Sequence, residues 1–172
     1  LAISPKELGK TVFAQIKLVS QQAKVQKTTL HHVKAHGALY NDLCTDSEKS
    51  KTFVEQILKI DEGLIVLAPP NSALKEVANG KLKVMTEGFA DRLYEEDFKL
   101  VSRKYPKAVL NEKNEVLEQV LAMVKKGEIS LENGSILRSE FDTICVHSDT
   151  PNSLEILRFL NRELPKRNIQ IR

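Results

Sequence analysis

Past Ser4-Pro5, the apolar residues Leu8, Val12, Ile16 and Val19 recur three or four positions apart. That spacing lines one face of a helix, and a capping hydroxyl followed by Pro at the first helical position marks its start. The pattern predicts a helix to about Gln26. The β-branched run TTLHHVKA predicts a short strand over 29–34, and Phe53, Ile57 and Ile60 place a second helix over 47–60. GLIVLAPP is apolar without alternation, as in a strand buried on both faces. A short helix over 72–77 and the strand KLKVMTEGF follow. The stretch ADRLYEEDFKLVSRKYPKAVL shows little periodicity, and long irregular connections are usually functional. Val116, Val120, Leu121 and Val124 mark a helix over 111–126. EISLENGSILRSEF reads as a hairpin around Asn133-Gly134, DTICVH as a last strand, and TPNSLEILRFLNREL as a last helix opened by Thr150-Pro151.

Helices alternating with strands imply parallel strands joined by crossover helices, and no linker or repeat divides the chain. The expectation is one α/β domain over 1–172. In such folds ligands bind beyond the carboxyl ends of the strands. The four exits read KAHGALYND, APPNS, EGFADRLYEED and HSDTPNS, and three of them carry His, Asp, Arg or Lys.

Composition narrows the function classes. A formal charge of +3, from 26 Lys and Arg against 23 Asp and Glu, is too small and scattered to argue for nucleic acid. Aromatic residues make up 5% and Trp is absent, which disfavours stacking platforms for single strands. No apolar run reaches the roughly 20 residues of a membrane helix. The N-terminus lacks the pattern of a signal peptide. Cys44 and Cys145 form no CxxC pair and suit reduced thiols in a cytoplasmic protein. The absence of an initiating Met suggests a fragment or a processed product.

Three of the four histidines fall in HHVKAHGALYND, from His31 to Asp42. If the strand persists through Ala35, then His32, Lys34 and His36 share a face and His31 points the other way. Three readings stay open. His32 and His36 could be zinc ligands, although such a site needs a third protein ligand and no HExxH or His/Cys pair stands nearby. The imidazoles could be satisfied by backbone. Or Lys34 and His36 face a substrate, the lysine holding an anion and the imidazole moving a proton, with Gly37 allowing a sharp turn. His147 and Asp149 sit past an apolar strand at a helix start; Asp149 could act in chemistry or cap the helix. Asp91 and Arg92 could serve a site or pair on the surface. No phosphate-binding glycine loop and no serine nucleophile elbow occurs.

These residues carry a family resemblance. HVKAHGALYN (His32 to Asn41) resembles HVKPHGALYN, EGFADRLYEEDFKLVSRK (Glu87 to Lys104) resembles E-x-FADR-x-Y-x-x-D-x-x-LVSR, and CVHSDTPNSLEI is similar to CVHGDTP and the helix after it. All three belong to the 5-oxoprolinase A-subunit family, also called LamB/YcsF. The resemblance implies a TIM-like β/α barrel of the deacetylase type and ATP-dependent opening of the 5-oxoproline lactam to L-glutamate, with partner subunits B and C. ATP would be a co-substrate, and magnesium is compatible with it; no resident metal is implied. By motif position His36, Asp91, His147 and Asp149 would be catalytic. Lys34, Tyr40, Asn41, Arg92, Ser102 and Arg103 would bind substrate. Arg92 or Lys34 would hold a carboxylate or a phosphorylated lactam oxygen. His36, His147 or Asp149 would move protons for the attacking water.

The chain departs from the pattern at Ala35, where the family has Pro, and at Ser148, Asn152 and Lys107, where Gly is usual. The family's N-x-DLGE, CGFHAGD and GAHP segments are absent, so the chain is expected to be the C-terminal two-thirds of a barrel. Two other functions compete: an incomplete or inactive assembly module of the same complex, and, by fold analogy alone, a metal-dependent deacetylase-like hydrolase.

Overall fold

Ser4 caps the first helix, α1 (Pro5–Val25), through a capping box. Its hydroxyl accepts the Glu7 N–H at 3.3 Å and the Glu7 carboxylate accepts the Ser4 N–H in return. In the computed structural model, which describes residues 3–171, the chain falls into two compact units, Leu1–Thr86 and Glu87–Arg172.

In the first unit α1 packs on α3 (Ser47–Leu58) through Leu8, Val12 and Ile16. At Gly9 the helices are so close that a β-carbon would lie 3.3 Å from the Thr52 and Gln56 side chains. Strand β2 (Ile65–Ala68) is buried at every position, as its unbroken apolar run predicts. It pairs in parallel with β1 (His32–Val33) on one side and with Lys83–Thr86 of β3 (Lys83–Phe89) on the other. Helix α4 (Ala73–Ala78) starts at Ser72, whose hydroxyl accepts the Lys75 N–H.

The structure differs from the expected elements around His31–Thr45. The first strand is two residues long rather than six: only His32 and Val33 stand in register with β2, the His31 carbonyl adding a bond from the Ile65 N–H at 3.2 Å. The alternation persists beyond it: Val33 and Ala35 are buried while His32 and His36 are exposed. Then GALYND, expected only as the exit of the first strand, begins a helix, α2 (Gly37–Thr45). Tyr40 and Leu43 bury its inner face, and Lys49 of α3 bridges to Asp42 at 2.8 Å, so tertiary packing decides the helix rather than propensity.

In the second unit the latter half of β3 pairs in parallel with β6 (Thr143–Cys145), Phe89 opposite Cys145. Helices α5 (Lys113–Lys126) and α6 (Ser153–Glu163) pack together through Val116, Leu117, Val120, Ile156 and Leu160. The expected hairpin forms from β4 (Glu128–Ser130) and β5 (Ile136–Arg138), with Gly134 at φ +83° in its turn. The irregular stretch after β3 is tied down rather than free. Isolated bridges join Arg92 to Val109 and Tyr94 to Leu100 around a 3-10 turn, Glu96–Phe98. The last helix opens at Asn152, not at Thr150-Pro151. Among the described residues neither Cys44 nor Cys145 is in a disulfide, and no helix is long and apolar enough to cross a membrane.

Candidate active site

Beyond the carboxyl ends of β3 and β6, the chain buries a carboxylate. Asp91 is fully buried, and its side-chain bonds come from the segment after β6. Its Oδ1 lies 2.9 Å from His147 Nδ1, its Oδ2 accepts the His147 main-chain N–H at 2.9 Å, and the Thr150 hydroxyl donates to Oδ2. Burial alone would raise the pKa of this carboxyl. The bonds from His147 and Thr150 outweigh it and hold the group below the usual carboxylate range. Asp91 is therefore a charged acceptor.

This fixes the imidazole. An ionised carboxylate can only accept, so His147 Nδ1 must carry the proton. In the neutral ring the lone pair then sits on Nε2. The ring also stacks on Phe89, centroids 4.7 Å apart at 29°, while about a quarter of the His147 side-chain surface stays open to solvent. An oriented imidazole with a free Nε2 behind a buried Asp is a general base able to take a proton and share the resulting charge.

The same carboxylate stops the strand pairing. The Ala90 N–H donates to the Cys145 carbonyl at 2.9 Å. A continuing parallel ladder would send the His147 N–H to the Ala90 carbonyl. That N–H goes to Asp91 instead, so the two segments part where the site begins.

Asp91 and Arg92 are not a surface pair. Arg92 is 6% exposed, and its guanidinium donates to the carbonyls of Val101 at 2.7 Å and Ala108 at 3.3 Å, across the loop it closes. Burial, and next the charge of Arg103, lower its pKa. Arg103 is exposed and grips the Asp149 carboxylate with both terminal nitrogens. Asp149 is thereby held below, and Arg103 above, the ordinary range. Asp149 does not cap α6. Ser102 is exposed at the turn before Arg103, its carbonyl accepting the Tyr105 N–H.

In the first unit, His36 occupies the cap position of α2 in extended conformation, exposed and with no side-chain capping bond. Gly37 follows at φ +58°, which only glycine adopts without strain, so the sharp turn is real. Lys34 is half-buried with its ammonium 5.7 Å from the centroid of the buried Tyr40 ring. Asn41 is exposed on α2. His31 and His32 do not point apart: their Nδ1 atoms are 3.2 Å apart and the rings meet edge to face. Among the described residues no three His, Cys, Asp or Glu side chains are grouped so as to hold a metal ion.

Two contributors escape sequence reading. Thr150 looks like a helix cap and instead binds Asp91. Gln119, on α5, donates its side-chain amide to the carbonyls of Phe89, Ala90 and Arg92 at 2.9, 3.1 and 2.9 Å. Among the departures from the family pattern, Ser148 and Lys107 avoid the left-handed region, while Asn152 sits in it at φ 58°, a conformation Asn tolerates better than most residues. A cavity of about 610 Å³ opens elsewhere in this unit, between the 93–108 loop and Leu131–Asn133.

The model of the LamB/YcsF family matches residues 1–172. The chain is 37% identical over 172 residues to the 5-oxoprolinase A-subunit of Pyrococcus furiosus, covering 99% of this chain and 68% of that protein. It is 39% identical over 170 residues to the 5-oxoprolinase A-subunit of Thermococcus sibiricus, covering 98% and 67%. The crystal structure of the lactam utilization protein from Thermus thermophilus superposes with a TM-score of 0.91 at 31% identity, over all of this chain and 69% of that one.

Proposed function

The chain belongs to the LamB/YcsF family, and on that footing we propose that it acts within a cytoplasmic, ATP-dependent 5-oxoprolinase as the A-subunit, together with subunits B and C. In that reading the whole A-subunit is a TIM-like barrel and the reaction opens the lactam of 5-oxoproline to give L-glutamate. The observation that carries it is the Asp91–His147 pair with its free Nε2, at the strand exits where α/β folds bind ligands.

A lactam carbonyl is a poor electrophile. Transfer of the γ-phosphoryl group of ATP to the lactam oxygen makes the ring carbon open to water. His147 Nε2 takes the proton of that water, and Asp91 stabilises the imidazolium that results. Breakage of the ring C–N bond, with a proton delivered to the departing amine, leaves an acyl phosphate. A second water hydrolyses it to glutamate and phosphate. Lys34 and Arg103 supply fixed positive charge for the substrate carboxylate or the phosphoryl oxygens, Arg103 being steered by Asp149. His36 is the second proton carrier, with Tyr40, Asn41 and Ser102 as polar contacts. Arg92 serves by shaping the loop, since its donors go to main chain.

The test is glutamate release from 5-oxoproline by the full-length protein mixed with subunits B and C, with and without ATP. ATP-dependent release that disappears in His147→Ala supports the reading. Undiminished release from that variant, or none from the complete mixture, overturns it.

A further inference from the structure

Four consecutive carbonyls, from Phe89 to Arg92, carry the chain out of β3 and around Asp91. One of them, that of Asp91, accepts the Leu110 N–H at 3.0 Å. The other three converge on Gln119 Nε2 at 2.9–3.1 Å. Three carbonyl oxygens around one atom admit only the nitrogen of the amide, so its two protons are shared among three acceptors. One of those acceptors, Ala90, is the carbonyl that loses its ladder partner when the His147 N–H turns to Asp91. Gln119 thus satisfies the group that the site's own geometry orphans. Left unsatisfied beside a buried carboxylate, that carbonyl would pull the turn toward water.

From this convergence we propose that Gln119 is a positioning residue: it locks the Phe89–Arg92 turn so that Asp91 holds His147 in its Nδ1–H form. The proposal rests on the assignment of His147 as the base. Gln119 touches no substrate and acts through Asp91 alone. A misplacement of about 1 Å can lower a rate on the order of 10²-fold.

The experiment uses the full-length protein with Gln119→Met, similar in length and without donors, and Gln119→Glu, similar in shape with acceptors facing acceptors. Nitrogen-15 NMR of the histidines, taken without substrate, reads the tautomer of His147, and steady-state kinetics are taken with subunits B and C. The expected result is a mixed His147 tautomer and a kcat lower by on the order of 10²-fold with KM changed by less than about twofold. A fixed Nδ1–H tautomer and unchanged kcat in a folded variant overturn the proposal. A second measurement needs no substitution: in the unaltered chain both Gln119 side-chain amide protons should exchange slowly with solvent, and rapid exchange overturns the clamp. Because the tautomer is read without substrate, a negative result there sinks the clamp alone. Undiminished activity of His147→Ala sinks the functional reading and with it the expected fall in kcat, while the tautomer measurement still decides whether Gln119 holds the turn.

Discussion

Asp91 and His147 are joined twice, through the imidazole Nδ1 and through the main-chain N–H, each at 2.9 Å and each to a different carboxylate oxygen. A single bond would let the ring pivot. Two bonds to one residue fix both the ring and the backbone that carries it, and the stacked Phe89 ring limits the remaining rotation.

Replacing Asp91 with Asn should therefore do more than remove a charge. An amide has one acceptor and one donor group, and it faces three donors: the His147 ring, its N–H and Thr150. The ring would move its proton to Nε2 and lose the lone pair that takes the proton of water. Glutamate release should fall by on the order of 10²–10⁴-fold. Urea unfolding should show a stability loss of roughly 2 kcal/mol or more.

His36→Ala should separate chemistry from stability. The side chain is exposed and makes no capping bond. The unfolding midpoint should correspond to a change within about 0.5 kcal/mol, while glutamate release falls by on the order of 10²-fold. A loss of stability with intact release would assign His36 to structure.

Acid should loosen the second unit in a defined direction. Asp91 titrates below its unfolded value, about 3.9. Glu163, held by Lys166, Arg167 and Arg162, is lowered from 4.5 to about 2. A depressed folded pKa gives stability that is complete above the unfolded value and is lost as pH falls through the folded one. Unfolding free energy should thus decline from about pH 4.5 toward pH 2, and Glu163→Gln should flatten that decline. A curve for the variant as steep as the parent's would show that Glu163 contributes nothing there.

Two glycines should respond unequally to alanine. Gly37, at φ +58°, has open space around the missing β-carbon, so Gly37→Ala should lose about 1 kcal/mol through backbone strain alone. Gly127, at φ +66°, would also place its β-carbon 2.5 Å from the Ser139 carbonyl oxygen. Its alanine variant should lose more, with a lower melting temperature as the readout.

Periodicity located α1, α3 and α5, and an unbroken apolar run located the buried strand Ile65–Ala68, because each of those signals is local. Helix α2 was invisible because its partner, Lys49, lies outside it and its first residue is glycine. The three strand exits pointed to His36, Asp91 and His147, but not to how they are held. Asp91 meets partners 56 and 59 positions away, and Asp149 turns from a helix cap to Arg103, 46 positions away. Gln119 carried no signal at all, since a lone amide on a helix face looks like any solvated residue until the carbonyls opposite it are known.

The ladder that ends at Asp91 also bears on how faithfully the chain folds. A slip of β6 by two residues would keep every side chain on its proper face, so the apolar pattern alone does not forbid it. Such a slip moves the imidazole by about 6.6 Å along the strand. It would strand a buried negative charge without His147 or Thr150, an error far harder to tolerate than a shortened ladder. The carboxylate that holds the imidazole thus also favours one pairing of the strands, since a misregistered chain would leave the same group buried and without its donors.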